Sequence, residues 1–279
     1  MKKSILLWLI ALVLTVFTAV YQRLTGPTYP VSGQATIAGN LVEYRLDKSH
    51  GGDGDHPFEI NVEDENVCGE LLWKRYMTND EWTSVEMKRL DEKLVASLPH
   101  QPPAGKLVYH IILEKDEEVV TIPANGEVVI RFKSDVPIFF LIPHIIFIFG
   151  AMLLSTRTGL EYFNEGKSFK LLTILTFIFV IIGGFILGPI AQYYAFGAFW
   201  TGFPFGHDLT DNKILIGFIG WLLALIALYK FKNPKRWIVF ASILMFIIFL
   251  IPHSLLGSEL DYNELDSNRN YEIQSNAIE

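Results

Sequence analysis

Cysteine is nearly absent from this chain: Cys68 is the only one in 279 residues. A single thiol excludes a disulfide framework, an iron–sulfur cluster and a cysteine-rich zinc site. A basic surplus is absent too, with 23 Lys and Arg against 30 Asp and Glu and a net charge of −7. Nucleic acid is therefore excluded as an expected partner, because phosphate binding needs a cationic face. G-x-S-x-G, H-E-x-x-H and phosphate-loop patterns are all missing, so the reading leans away from an enzyme and no catalytic residue is assigned. Charged residues make up only 19% of the chain and hydrophobic ones 51%, which excludes disorder and points to membrane segments.

A helical span needs about 20 mostly apolar residues. Five stretches approach that length, at 5–21, 136–155, 169–190, 214–229 and 237–256. The first has a basic start at Lys2 and Lys3 but no A-x-A-like exit, so it reads as an uncleaved signal anchor rather than a cleaved leader. With the N-terminus inside, Lys2, Lys3, Arg157, Lys167, Lys170, Lys230, Lys232, Lys235 and Arg236 all fall on the cytoplasmic side. The short outer segments hold only Lys213 and Arg269, which fixes the expected orientation. The expected fold is thus an α+β membrane protein with five transmembrane helices. A signal-anchor helix (1–23) leads to an extracytoplasmic all-β sandwich (24–135) and then a four-helix bundle (136–256). Within the bundle lies an outer aromatic loop (191–213), and an acidic outer tail follows (257–279). The location this suits is a bacterial inner membrane, with the sandwich in the periplasm or cell exterior.

The sandwich expectation rests on alternation in Leu41-Val42-Glu43-Tyr44-Arg45-Leu46, Phe58-Glu59-Ile60-Asn61-Val62 and Leu107-Val108-Tyr109-His110-Ile111-Ile112-Leu113. Further strands are expected at 118–122 and 127–132. Turn chemistry separates them at Gly51-Gly52-Asp53-Gly54-Asp55, Pro102-Pro103-Ala104-Gly105 and Ala124-Asn125-Gly126. One run goes further. Trp82, Met87, Leu94-Val95-Ala96-Ser97-Leu98-Pro99, the Pro102–Gly105 turn and Val108-Tyr109 resemble a stretch of immunoglobulin- or fibronectin-III-like modules on bacterial surface proteins. The resemblance covers residues 80–110 and implies a sandwich with a binding or spacing role. Within the hairpin tip, Asp53 and Asp55, with Asp47 nearby, could offer oxygens to a calcium ion; a plain flexible tip is the simpler account.

In the membrane half, Phe140-Leu141-Ile142-Pro143-His144 recurs as Phe249-Leu250-Ile251-Pro252-His253. On the expected topology His144 lies ~12 Å inside the outer face, at 1.5 Å per residue. His253 and His207 fall near the same face. An ionisable group at that depth faces the bundle interior or satisfies a kink. The functional alternative is a cofactor, haem or a divalent metal, held by His144, His207 and His253. The loop Phe199-Trp200-Thr201-Gly202, followed by His207-Asp208, resembles the Trp-rich outer loop of haem-handling cytochrome c assembly proteins, which implies a part for Trp200. His207, Asp208 and Asp211 offer a metal set, against which stands simple capping of the fourth span by Asp208 or Thr210. The expected function is an interaction or assembly component in the lipid bilayer that meets a membrane or periplasmic protein partner. The alternative is a haem- or metal-handling protein.

Overall fold

The computed structural model describes residues 2–253, 257 and 259–267. They divide into two compact units, a helical one before Thr28 and after Asp135, and a β-rich one over 28–135 that also takes in the residues from Glu259.

The helical unit begins with α1 (Lys2–Thr25). After the β-rich unit comes α2 (Ile138–Leu160), which tightens into a 3-10 turn over Glu161–Asn164. A third long helix runs as α3 (Phe169–Val180), a π-helical segment (Ile181–Leu187) and α4 (Gly188–Phe196). It is followed by α5 (Leu209–Lys230) and α6 (Pro234–Leu250). Four of these, α1, α2 with its turn, the α3–α4 rod and α5, are long and apolar enough to cross a membrane. The fifth expected span is shorter than its apolar run. α6 has 17 residues and stops at Leu250, where Ile251 turns extended at ψ 122°. The cause is Pro252, whose ring disfavours a helical residue before it.

The helical unit buries hydroxyls beside an apolar core of Met152, Phe169, Val180, Trp221 and Met245, and leaves large apolar side chains outside. Thr15, Thr18, Thr158, Thr173, Thr176 and Ser242 are buried, whereas Val13, Phe17, Phe139, Ile146 and Leu171 are exposed. Thr15, Thr18, Thr158 and Thr176 each return the hydroxyl to the carbonyl four residues back. Small residues bring the helices together, as membrane helix contacts require. A Cβ on Gly217 would lie 2.8 Å from Met245 Sδ, and one on Gly183 would meet the backbone nitrogen of Ile148 at 3.0 Å.

Among the described residues the β-rich unit has eleven strands in three sheets. β1 (Val31–Ile37) and β2 (Asn40–Leu46) form a hairpin. The largest sheet orders β3 (Ser49–Gly51), β11 (Val128–Lys133), β9 (Lys106–Lys115), β5 (Cys68–Arg75) and β6 (Thr83–Glu86), and β10 (Glu118–Ile122) also pairs with β9. A third sheet orders β4 (His56–Asn61), β8 (Lys93–Leu98) and β7 (Lys88–Leu90). β3 and β11 are parallel and every other pair is antiparallel. Alternation along β4 and β9 sends Phe58, Ile60, Leu107, Tyr109, Ile111 and Leu113 inward, where they join Ile37, Leu46, Leu71, Leu94 and Ile130 in one core fed by all three sheets. Tyr109 ties that core down by donating its hydroxyl to the Asp47 carbonyl at 2.8 Å, and burial pushes its phenol up.

The acidic C-terminal stretch, expected as a solvated tail, is folded against the strands over 259–267; residues 268–279 lie outside the described set. Leu260 donates its N–H to the Ala104 carbonyl, and Tyr262 is buried with its hydroxyl donating to Gln101 Oε1 at 2.9 Å. That burial pushes the Tyr262 phenol up to about 12. Arg75 clamps Asp80 at 2.6 Å and Asp266 at 2.9 Å, and Lys106 pairs with Glu259. Arg75→Gln is expected to loosen the 259–267 segment by about 1 kcal/mol, since the partners are partly exposed. Limited proteolysis would read this as faster cleavage after residue 258. The Arg75 guanidinium also holds the Asp80 carboxyl below its ordinary 3.8. A carboxyl lowered on folding stabilises above its unfolded pKa, so the clamp persists at neutral pH and is lost only as pH falls through the lowered folded-state value.

Candidate functional site

The outer-loop candidates of the helical unit form a knot of polar groups closed on itself. Gly197, at φ 80°, ends α4 with its N–H on the Tyr193 carbonyl, and the chain then folds back over the start of α5. Asp208 caps α5, its side chain accepting from Thr210 N at 2.7 Å. One oxygen of Asp211 accepts from Thr201 N (2.6 Å), Gly202 N (3.0 Å) and Gln192 Nε2 (3.1 Å). Gly202 allows this approach, because a Cβ there would lie 2.6 Å from that of Asp211. Asn212 Oδ1 takes the Phe203 N–H at 2.7 Å. Carboxylate oxygens aimed at N–H donors face positive dipole ends, which is how they are satisfied without a cation. His207 is exposed, and among the described residues no three His, Cys, Asp or Glu side chains gather as a metal set.

Trp200 donates its indole N–H to the Phe203 carbonyl at 3.0 Å and stacks on Phe185 at 5.6 Å. The two copies of the Pro-His pentapeptide adopt different structures. Pro143 and His144 lie inside α2, whereas Pro252 and His253 follow the end of α6 and His253 is exposed. His144 Nδ1 lies 3.0 Å from the Gly183 carbonyl in the π-helical segment. A carbonyl only accepts, so Nδ1 carries the proton and Nε2 keeps its lone pair. The carbonyl that His144 binds belongs to the π-helical segment and not to the α2 turn that Pro143 interrupts, so the histidine ties two helical segments together.

A second buried polar group had no counterpart in the sequence reading. Arg157 and Glu161 pair at 2.7 Å with side chains 1% and 0% exposed. Arg157 also donates to Ser4 Oγ at 3.2 Å and lies over the Trp8 ring, while Glu161 accepts from Ser168 N and Asn164 Nδ2. Its sequence signal was opposite charges four apart at the end of an apolar run.

In the β-rich unit the hairpin tip brings histidines together rather than aspartates. Asp53 is exposed, and Asp55 spends one oxygen on the His100 N–H at 2.8 Å. His50 on β3 and His56 on β4 face each other, Nδ1 to Nδ1, at 3.2 Å. His50 Nε2 lies 3.1 Å from the Gly54 carbonyl, and His100 Nδ1 reaches the same oxygen at 3.1 Å. His50 and His100 each set an edge against Phe132. His56 is 6% exposed, and burial, then the His50 charge, hold its pKa down against the opposing pull of Asp47. His56 also lines a cleft of about 850 Å³ between the β1–β2 hairpin and β4, with Tyr44, Arg45, Asp47, Glu59 and Asn61.

No protein-family model and no curated protein matches the sequence, and no solved structure matches the fold. The immunoglobulin- or fibronectin-III-like resemblance therefore stands on its 30 residues alone. What they form is a β-rich unit of several sheets in which β8 and β9, either side of the Pro102–Gly105 turn, belong to different sheets.

Proposed function

We propose that this chain is an integral membrane protein that holds its β-rich unit on the outer face, as an interaction or assembly module for a membrane or periplasmic protein partner. The observation that carries the reading is the polar cleft beside β4. Arg45, Glu59 and Asn61 offer it charge and hydrogen bonds from strands that are themselves fixed by pairing. An apolar-outside bundle supports the membrane placement, and the Lys and Arg bias supports the sidedness.

Cys68 supplies a native reporter, being exposed and the only thiol. A membrane-impermeant maleimide is expected to label it in intact cells, and not in a Cys68→Ser control. Labelling only after lysis would reverse the sidedness. Wild-type protein is then expected to co-purify with a stoichiometric partner that Arg45→Glu and Asn61→Arg release. Unchanged co-purification by both variants would remove the cleft from the interaction.

One observation favours the cofactor reading. The His144 Nδ1–H on a backbone carbonyl leaves Nε2 available, the arrangement that orients an imidazole toward a metal or haem. On that reading the purified protein carries a haem Soret band or bound metal that His144→Ala abolishes. A colourless, metal-free wild type would leave His144 as a helix–helix tie.

A further inference from the structure

We propose that His50 and His56 form an open site for a divalent cation of the zinc class, bound through their two Nδ1 atoms at the wall of the β-rich unit's cleft. The inference needs neither the membrane sidedness nor the protein partner. Its first support is distance. Zinc–imidazole bonds of about 2.0–2.1 Å in tetrahedral geometry put two ligand nitrogens about 3.3 Å apart. The two Nδ1 atoms are 3.2 Å apart without any movement.

The second support is the tautomer of His50. Its Nε2 faces the Gly54 carbonyl, which can only accept, so Nε2 carries the proton and Nδ1 presents a lone pair to His56. A ring N–H on a backbone carbonyl is the outer-shell contact that orients ligating histidines. The third is rigidity. His56 pairs with Leu98 across β4 and β8, and His50 with Phe132 across β3 and β11, so both rings hang from strands. A site on strands holds ligand geometry more closely than one on a loop. The Asp47 carboxylate acts electrostatically on His56 and offsets cationic charge there.

Among the described residues no third His, Cys, Asp or Glu completes the set. The remaining positions belong to water or to an added donor, as in metal sites that keep an open position. Two neutral imidazoles suit zinc, copper and nickel better than calcium, which takes oxygen ligands.

The competing account is a plain hydrogen bond, with His56 Nδ1–H donating to His50 Nδ1. The full chain, purified in detergent and free of chelator, would be titrated with Zn²⁺ by calorimetry, and with Co²⁺ followed by visible absorption. The expected result is one saturable equivalent, with cobalt ligand-field bands displaced by zinc. His50→Gln can still accept the hydrogen bond yet supplies no imidazole, so its affinity is expected to fall at least ~10-fold. The double variant His207→Ala/His253→Ala is expected to bind as wild type. Histidine ¹⁵N NMR on wild type keeps the test decisive should His50→Gln fold poorly: Zn²⁺ must move the Nδ1 resonances of two histidines, and paramagnetic Co²⁺ must broaden the same two. No saturable Zn²⁺ uptake would overturn the site, as would unchanged affinity in His50→Gln or loss confined to the His207/His253 variant.

Discussion

Arg157→Ala is expected to destabilise the helical unit by about 3–5 kcal/mol, because it strands a buried carboxylate. Glu161 is fully buried, and its remaining partners, Ser168 N and Asn164 Nδ2, are neutral donors that do not replace a guanidinium. At this size the loss corresponds to a fall in melting temperature on the order of 10 °C, readable by thermal unfolding in detergent. The double change Arg157→Met with Glu161→Leu removes both charges and their desolvation, and is expected to recover most of the loss. A single variant melting with wild type would mean that the pair is solvated in the protein and that its burial contributes nothing. Ser4 and Trp8 add a second reading of the same variant. Both lie on α1 and touch Arg157, so losing the guanidinium also removes a polar tie between α1 and α2.

Asp211→Ala is expected to open the loop between α4 and α5, at a cost of about 3 kcal/mol. Its carboxylate satisfies the N–H groups of Thr201 and Gly202 and the Gln192 amide, and each buried donor left without a partner costs ~1–3 kcal/mol. Asp211→Asn keeps one acceptor oxygen and is expected to lose about half as much. Hydrogen exchange at the Thr201 and Gly202 amides measures it directly. Protection that survives Asp211→Ala would show that other acceptors hold the loop. A chelator is expected to leave the exchange unchanged in wild type, whereas a metal held by His207, Asp208 and Asp211 would make chelation imitate the variant.

The elements easiest to read were those whose pattern does not depend on a distant partner. Apolar runs mark α1, α2, the α3–α4 rod and α5, and alternation marks β2, β4 and β9 within a residue or two of their ends. β1 was missed although Val31-Ser32-Gly33-Gln34-Ala35-Thr36-Ile37 alternates, because two of its inward positions are the small Gly33 and Ala35; its register comes from the hairpin with β2. β5 was missed because the adjacent apolar residues Leu71, Leu72 and Trp73 break the alternation of Cys68–Arg75. The π-helical segment gives only a glycine pair, Gly183-Gly184, which reads equally well as close packing.

The sites show the same division. The cap at Asp208 is local, so its residue type and position disclose it. Asp211 is also local in sequence, yet its role depends on the loop's return path. The Arg75–Asp266 bond joins residues 191 apart, so a run of acidic residues looked like a solvated tail when its counter-charges lay in β5 and β9. At the hairpin tip the sequence drew attention to carboxylates, while the pairing of β3 with β11 and β4 with β8 turns the flanking imidazoles toward each other.

The return of residues 259–267 to the β-rich unit sets a parity condition on the membrane path. A folded unit lies on one side of a bilayer, so the chain leaving it at Asp135 and rejoining it at Glu259 must cross an even number of times. The three long helices between those points, α2, the α3–α4 rod and α5, make an odd number. On the membrane placement proposed above, the 17-residue α6 must supply the fourth crossing despite its length. At 1.5 Å per residue it spans about 25 Å, a few ångströms short of an average hydrocarbon core. Just past its end the buried Lys213 donates its Nζ to the Ile251 carbonyl at 2.9 Å, so the chain that completes this crossing leaves α6 tied to the start of α5.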